Sequence, residues 1–552
     1  QNNQEFHQML LAGVKVPYQS EGQTKYYAVR LVDFENPQNN DFAAVRQLIV
    51  LQHKQKRLDH VLFVNGLPLV ILEYKDPTNP AADIVAAHKQ LGIGNYQKHI
   101  PKIFNYNAFL IISDKTYARY GTMTAPFERF SDWNDPEDPD RTVANRLEMM
   151  QRLMLNKESL LELIQNYLEY ESGGKMTVKK IAQQHQYLGA KKAVEKTLEV
   201  FSQKDENRIG IIWHTTGSGK SLTMILYTNM ISQIKELENP TFVILTDRKD
   251  LDEQLNGFFE VAGFPYPRPK TAVLEAHSIV DLREKLEVPA GKIIFTTIQK
   301  FQVTEDERDG MAKYPLISDR RNIIIIADEA HRSQYKKMAQ NLQRALPNAL
   351  KIGFTGTPID KEDKSTREVF GDVIHSYKIH DAVRDRATVR LTCEGRLVQL
   401  HLDNKMIGED FEKITEDLDP DVTERLSRRW SELKTVLEDL DRLDKIAKDV
   451  VYHFTEKKKV LKGKAMLAAS TKLAAARYAD IISKIPGAPR CTCIISGMPQ
   501  ALPDDASDER KSREEVVSKH YKSKQEIDDL IKQFKDEKND LELLIVCDMY
   551  LT

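Results

Sequence analysis

Two hydrophobic patterns follow one another along the chain. Over the first 115 residues or so, YYAVRLVDF, RLDHVLFV, LPLVILEYK and NAFLIISD read as strands, with IVAAHKQL as an intervening helix. This part predicts a compact α/β unit. From about 180 to 385 the pattern changes to short, continuous apolar runs, each followed by a helical segment: RIGIIWH, TFVILTD, KIIFTT, NIIIIAD and ALKIGFT. Strands apolar on both faces and separated by helices predict a parallel sheet covered on both sides. After YKIHDAV comes a helical, charge-rich block (about 405 to 460), and KAMLAAS and ELLIVCD then read as two strands of a second, similar sheet.

Breaks in these patterns suggest the domain limits. The turn-rich acidic stretch SDWNDPEDPD (131 to 140) leads into a helical segment at about 142 to 170, and ESGGK (171 to 175) reads as a flexible joint. The expected division is an α/β domain over 1–150, a helical linker over 151–178, a parallel-sheet domain over 179–388, and a second such domain with a helical insertion over 389–552. PDDASDERKSREEVVSK (503 to 519) reads as a mobile insertion. No internal sequence repeat is found.

At 552 residues the chain is too long for one core. Its 80 Lys plus Arg nearly balance 82 Asp plus Glu, so any basic groove for nucleic acid must be local. Lys175, Lys179, Lys180, Lys191, Lys192 and the run EKKKVLKGK (456 to 464) are candidates, although such runs are commonly solvated helix faces. Four scattered cysteines fit neither a disulfide framework nor a four-ligand zinc site, as expected of a reducing cytoplasm. There is no signal-peptide pattern and no apolar run long enough for a membrane span. A soluble cytoplasmic protein is expected.

The stretch IIWHTTGSGKSLTM (211 to 224) predicts a strand, a glycine turn and a helix start. In that geometry the amides of Thr216, Gly217, Ser218, Gly219, Lys220 and Ser221 can face phosphate oxygens, Lys220 can reach the β and γ phosphates of ATP, and the Ser221 hydroxyl can ligate Mg2+. His214 stands where the usual motif has its first glycine. RNIIIIADEAH (321 to 331) supplies the complementary acids at a strand's C-terminal end: Asp328 for the metal and Glu329 to activate the attacking water. DEAH alone could also read as a helix start with acidic N-terminal residues. With GSGKS beside it, a nucleotide site is the better account.

HTTGSGKS, TDRKDLDEQL (246 to 255), TTIQKF (296 to 301), DEAH (328 to 331) and FTGTP (354 to 358) stand in the order and spacing of superfamily 2 helicase motifs, which the chain resembles over some 145 residues. The resemblance implies RecA-like lobes. It also implies an adenine contact for Gln186, and a role for Thr355 and Thr357 in coupling hydrolysis to movement on DNA.

The run RLDHVLFVNGLPLVILEYKDP (57 to 77) ends an oily hairpin in charge. Carboxylates are costly to bury, so Asp59, Glu73 and Lys75 there suggest a metal site, a salt bridge or chance. Beside a DNA motor the metal reading gains weight: Asp59 and Glu73 would hold Mg2+ at a scissile phosphate, the Tyr74 carbonyl would add a ligand, and Lys75 would stabilise charge. A plain two-residue Asn65-Gly66 turn sets Asp59 opposite Leu72, on the wrong face; a three-residue loop or a one-residue bulge sets it opposite Glu73. The register with Asp59 opposite Glu73 is expected. ExK alone carries little weight, since Glu362 to Lys364 and Glu456 to Lys458 match it in polar segments.

NGLPLVILEYK, PKIFNYN, SDKTYARYGTMTAPFERFSDW, FGDVIHSYKIHDAV and GKAMLAAS together resemble the R subunits of type I restriction-modification enzymes over nearly the whole chain. That resemblance implies a PD-(D/E)xK nuclease domain followed by two RecA-like parallel-sheet lobes in a multidomain α/β chain. It implies ATP and Mg2+ as cofactors, double-stranded DNA as substrate, and methyltransferase (M) and specificity (S) subunits as partners. The family's QxxxY element has its nearest match in Gln90 and Tyr96, spaced wider than the pattern, and Tyr74 stands where leucine is more usual. The next helicase element and an arginine-bearing last motif are not found before Thr552, so the second lobe is expected to be incomplete. Two other readings are a freestanding repair helicase with an attached nuclease, and a DNA-bound ATP switch whose acidic hairpin is a structural salt bridge.

Overall fold

The computed structural model describes residues 2–20, 23–76, 78, 83–114, 116–135, 146–173, 176–246, 272–287, 291–302, 314–328, 335–357, 364–396, 437–495 and 508–547. They form two compact units, Gln1–Leu391 and Thr392–Thr552. Both are mixed α/β.

The first unit opens with helix Asn2–Ala12 and an antiparallel pair, β1 (Val14–Ser20) and β2 (Gln23–Val29). The strand read from YYAVRLVDF stops at Val29, because the Asp33 carboxylate accepts the N–H groups of Glu35 and Asn36 (3.1 and 2.9 Å) and turns the chain locally. Next comes a five-stranded sheet in the order β3 (Phe42–Leu51), β4 (Gln55–Val64), β5 (Leu67–Tyr74), β6 (Phe109–Ser113), β7 (Ala118–Gly121). Only β5 and β6 run parallel. Strand β5 lies in the middle, with Leu69 to Leu72 all buried. Ile71 packs with helix Ile84–Leu91 on one face, while Val70 and Leu72 join the larger core on the other.

The stretch expected to be a helical linker is helical only to Asn166, in helices Arg146–Leu153 and Lys157–Asn166. It then turns into an antiparallel hairpin, β8 (Leu168–Gly173) and β9 (Met176–Ile181), so ESGGK begins as strand. Polar contacts pin that hairpin. The Tyr170 hydroxyl donates to Asn3 Oδ1 (2.7 Å), and the buried Lys179 ammonium donates to Asn3 Oδ1 (2.9 Å) and the Asn107 carbonyl (2.7 Å). Lys179 is therefore a structural residue, and Lys191 is bonded to Glu162 (2.8 Å). Lys180 pairs with Glu171, and Lys175 lies outside the described residues.

Beyond helix Gln184–Ser202 lies a seven-stranded sheet with every neighbouring pair parallel. Its strands are β10 (Arg208–His214), β11 (Thr241–Thr246), β12 (Ala272–Glu275), β13 (Lys292–Thr297), β14 (Ile323–Asp328), β15 (Leu350–Thr355) and β16 (Val373–Tyr377), in the spatial order β12-β13-β11-β14-β15-β10-β16. The four isoleucines of β14 are fully buried, as its unbroken apolar run requires.

The second unit carries a smaller parallel sheet in the order β17 (Ala465–Ala469), β19 (Leu541–Cys547), β18 (Arg490–Ile494). Helices Leu440–Lys458, Lys472–Ile482, Asp508–Ser518 and Lys524–Lys535 accompany it. The segment read as a mobile insertion is helical over Asp508–Ser518: Val517 is buried in the core, and Arg513 pairs with Glu438. Residues 503 to 507, and the part of the charge-rich block up to 436, lie outside the described residues.

Candidate active sites

In the β4–β5 hairpin, Val64 pairs with Leu67 across a two-residue turn in which Asn65 and Gly66 both take left-handed backbone (φ 50 and 79). One step further the register slips: Phe63 pairs with Pro68, but Leu62 pairs with Val70, leaving Leu69 as an extra residue. This bulge carries the pairing on to His60 opposite Leu72, so Asp59 falls across from Glu73. It is the expected register, reached through the bulge.

The two carboxylates are held differently. Asp59 Oδ2 accepts the Tyr74 backbone N–H (2.9 Å), and Asp59 Oδ1 accepts from the Gln47 carboxamide (3.3 Å). Glu73 is only 1% exposed; its Oε1 accepts from Lys75 Nζ (2.9 Å), while its Oε2 is buried without a hydrogen-bond partner among the described residues. Burial pushes the Glu73 carboxyl up to about 7, with Lys75 opposing the rise and the Asp59 charge adding to it. Lys75 also donates to Gln90 Oε1 (2.7 Å), whose amide nitrogen donates to the Tyr96 hydroxyl (2.5 Å), which in turn donates to the Arg57 carbonyl (2.9 Å). The widely spaced Gln90 and Tyr96 thus join one chain of hydrogen bonds ending on the lysine.

A surface pocket lined by Arg46, Gln47, Asp59, His60, Tyr74 and Lys75 opens beside this cluster. Among the described residues no three His, Cys, Asp or Glu side chains gather into a full metal cage. Two acids and an orphaned, buried oxygen nevertheless fit a hard divalent ion that keeps most of its waters, since such an ion would satisfy Glu73 Oε2 and cancel the repulsion between the carboxylates. Arg46 and Gln47 went unnoticed in the sequence because β3 is an exposed edge strand whose weak alternation gave no strand signal, and His60, though on a strand that was read, carried no pattern marking it as part of a site.

The loop expected to cradle phosphate follows β10. Gly217 and Gly219 have φ of 82 and 83, a left-handed geometry that only glycine takes without strain. Ser218 is buried, its hydroxyl donating to the Thr215 carbonyl (2.6 Å), while Thr216 and Gly217 are exposed. Lys220 and Ser221 begin helix Lys220–Ser232, and Lys220 Nζ lies 4.0 Å from Asp328 Oδ1 at the end of β14. Glu329 lies outside the described residues, as does TDRKDLDEQL beyond Thr246. The turn Thr355 to Thr357 approaches the loop so closely that a Cβ on Gly356 would stand 2.6 Å from Thr216 Oγ1 and 2.9 Å from Lys220 Nζ. The Thr355 and Thr357 hydroxyls lie 3.2 Å apart.

Gln186 is buried in the first turn of its helix. Its Oε1 accepts the Gln183 N–H (2.8 Å), and its Nε2 donates to the carbonyls of Ser218 (3.1 Å) and Gly219 (3.2 Å). In this arrangement it ties the helix start to the loop from beneath. His214, at the position of the missing first glycine, is buried with Nε2 2.9 Å from His375 Nδ1, and Gly189 leaves room for it. His185 bonds the Ser218 carbonyl (2.9 Å) and stacks on Tyr377. Burial lowers all three histidines, His185 to about 4 and His375 to about 3, so the loop rests on neutral rings.

Residues 1–129 match the family model "Type I restriction enzyme R protein N terminus", and residues 185–424 match "SWI2/SNF2 ATPase". The chain is 38% identical over 571 residues to the type I restriction enzyme HindI endonuclease subunit of Haemophilus influenzae, covering 100% of this chain and 52% of that protein. It is 36% identical over 577 residues to the putative type I restriction enzyme MjaIXP endonuclease subunit of Methanocaldococcus jannaschii, covering 99% and 52%. The chain spans about half the length of these relatives. Among solved structures, the Pyrococcus furiosus Hef helicase domain is 14% identical with a TM-score of 0.35, covering 64% of this chain and 84% of that one. No described helix is long and apolar enough to cross a membrane. Two family models in sequence and relatives matched from end to end of the chain lead to one conclusion: this chain belongs to the endonuclease (R) subunits of type I restriction enzymes.

Proposed function

We propose that the chain is the nuclease and motor part of an ATP-dependent DNA translocase and endonuclease, which cuts foreign DNA away from the site its partners recognise. The observation that carries this reading is the convergence of Asp59, Glu73 and Lys75 at the end of a buried hairpin, in the same compact unit as the phosphate loop. Residues 1–150 act as a PD-(D/E)xK nuclease, and 179–388 and 389–552 as RecA-like lobes. The work of each residue follows from its position. Asp59 and Glu73 hold Mg2+ at the scissile phosphate; the ion supplies Lewis-acid charge and a more acidic bound water. Lys75, steadied by Gln90, places its ammonium where negative charge grows on the phosphate. In the motor, the loop from Thr216 to Ser221 cradles ATP, Asp328 and Ser221 hold its Mg2+, and Glu329 orients the attacking water.

Partner M and S subunits read the sequence in the cytoplasm, and double-stranded DNA is the substrate. The test incubates linear and circular plasmid DNA with Mg2+, ATP and the M and S subunits, and maps the cuts. Cuts scattered far from the recognition sequence and dependent on ATP are expected. ATP-independent cutting, or DNA-stimulated ATPase without partners, would instead fit a freestanding repair enzyme.

A further inference from the structure

The nuclease pocket holds one backbone oddity. Gln47 sits in the middle of β3, yet its φ is 54, in the left-handed region that a long L side chain seldom occupies. The β3–β4 ladder runs on both sides of it, with Arg46 opposite His60 and Leu48 opposite Leu58, and the missing pair in between is Gln47 with Asp59. At this point the Gln47 amide nitrogen reaches Asp59 Oδ1 (3.3 Å). Asp59 Oδ2 is already held by the Tyr74 N–H (2.9 Å), so Gln47 completes a two-sided grip on the carboxylate.

We infer that Gln47 is a positioning residue of the nuclease site: its left-handed backbone breaks the ladder so that the carboxamide fixes Asp59 in the orientation that receives the metal. The inference rests on the nuclease reading above. Metal-binding carboxylates are commonly oriented by hydrogen-bonding neighbours, and loss of such a neighbour costs about 10- to 100-fold in metal affinity or activity. The alternative is that the irregularity merely blunts an exposed sheet edge against pairing with another chain. In that case the kink matters and the carboxamide does not.

Substitutions separate the two. Gln47→Gly keeps the left-handed backbone and removes its strain, and Gln47→Asn accepts that backbone but falls one methylene short of Asp59. Mn2+ is titrated calorimetrically into the full chain without nucleotide, with Glu73→Ala as the background, and thermal midpoints are recorded in parallel. Both Gln47 variants should bind Mn2+ about tenfold or more weakly, with the Gln47→Gly midpoint at or above the parent's. If Glu73→Ala loses the Mn2+ isotherm while the Gln47 variants titrate like the parent, the positioning role is overturned and the nuclease reading stands. If Glu73→Ala titrates like the parent, the nuclease reading fails and the inference fails with it. A Gln47→Gly midpoint well below the parent's would also overturn the inference, because the backbone would then owe its shape to something other than glutamine's reach.

Discussion

At the residue scale, the chain keeps costly groups where chemistry or anchoring uses them. Glu73 is buried, raised to about 7 and has one oxygen without a hydrogen-bond partner among the described residues. Glu73→Gln keeps the shape and removes the charge, and it should lower DNA cleavage about a hundredfold while leaving ATPase activity within about twofold, measured side by side. A second buried acid, Glu169 on β8, accepts from Asn229 of the phosphate-loop helix (2.6 Å) and is raised to about 8, with burial the main cause. A carboxyl raised in the folded state stabilises the fold fully below its unfolded value near 4.5, and that stability is lost as pH rises through about 8. Glu169→Gln should therefore gain on the parent in thermal midpoint between pH 5 and pH 9, with the difference growing as pH rises. Sequence pattern exposed the charges of Asp59, Glu73 and Lys75 because they interrupt an oily run. It could not expose Gln47, whose meaning lies in a dihedral angle and in a partner 12 positions away.

At the element scale, the hairpin and the phosphate loop each depend on one irregularity. Without Leu69 bulged out, the two-residue turn would set Asp59 opposite Leu72; hydrophobic alternation alone could not choose between the two registers, and the bulge settles it. In the loop, Gly219 is both left-handed and crowded, a Cβ there standing 2.4 Å from Gln186 Nε2. Gly219→Ala should cost about 1–2 kcal/mol for the backbone alone, and should weaken ATP binding further by pushing Gln186 off the Ser218 and Gly219 carbonyls. Equilibrium binding of a fluorescent ATP analogue checks this. The long, doubly buried strands were legible from their unbroken apolar runs. The edge strand β3, the four-residue β12 and the cysteine-bearing β18 were not, because short or half-exposed strands leave little pattern. The β8–β9 hairpin was misread as a joint because the paired glycines of ESGGK read the same in a turn sequence as in a tether.

At the scale of the whole molecule, the proposed nuclease and the first motor lobe share a core. One hydrophobic cluster runs from Leu10 and Val64 through Leu163, Ile164 and Tyr167 to Ile212, Leu226 and Phe354. The β8–β9 hairpin is bonded on one side to Asn3, Asn107 and Thr122 and on the other to Asn229. Because both halves contribute side chains to this cluster, neither can unfold without exposing part of the other's core. A chain of residues 1–391 should show a single unfolding transition by calorimetry, whereas residues 1–150 alone, stripped of the partner half of that core, should show none. Mounted this way, the proposed cutting site sits on the same compact unit as the proposed ATP site.

The most direct measurement compares Glu73→Ala and Lys220→Ala with the parent in complex with M and S subunits, scoring ATP hydrolysis and DNA cleavage in the same tubes. The account predicts that Glu73→Ala hydrolyses ATP at the parent's rate and leaves DNA intact, while Lys220→Ala loses both activities. Cleavage by Glu73→Ala at the parent's rate would contradict it.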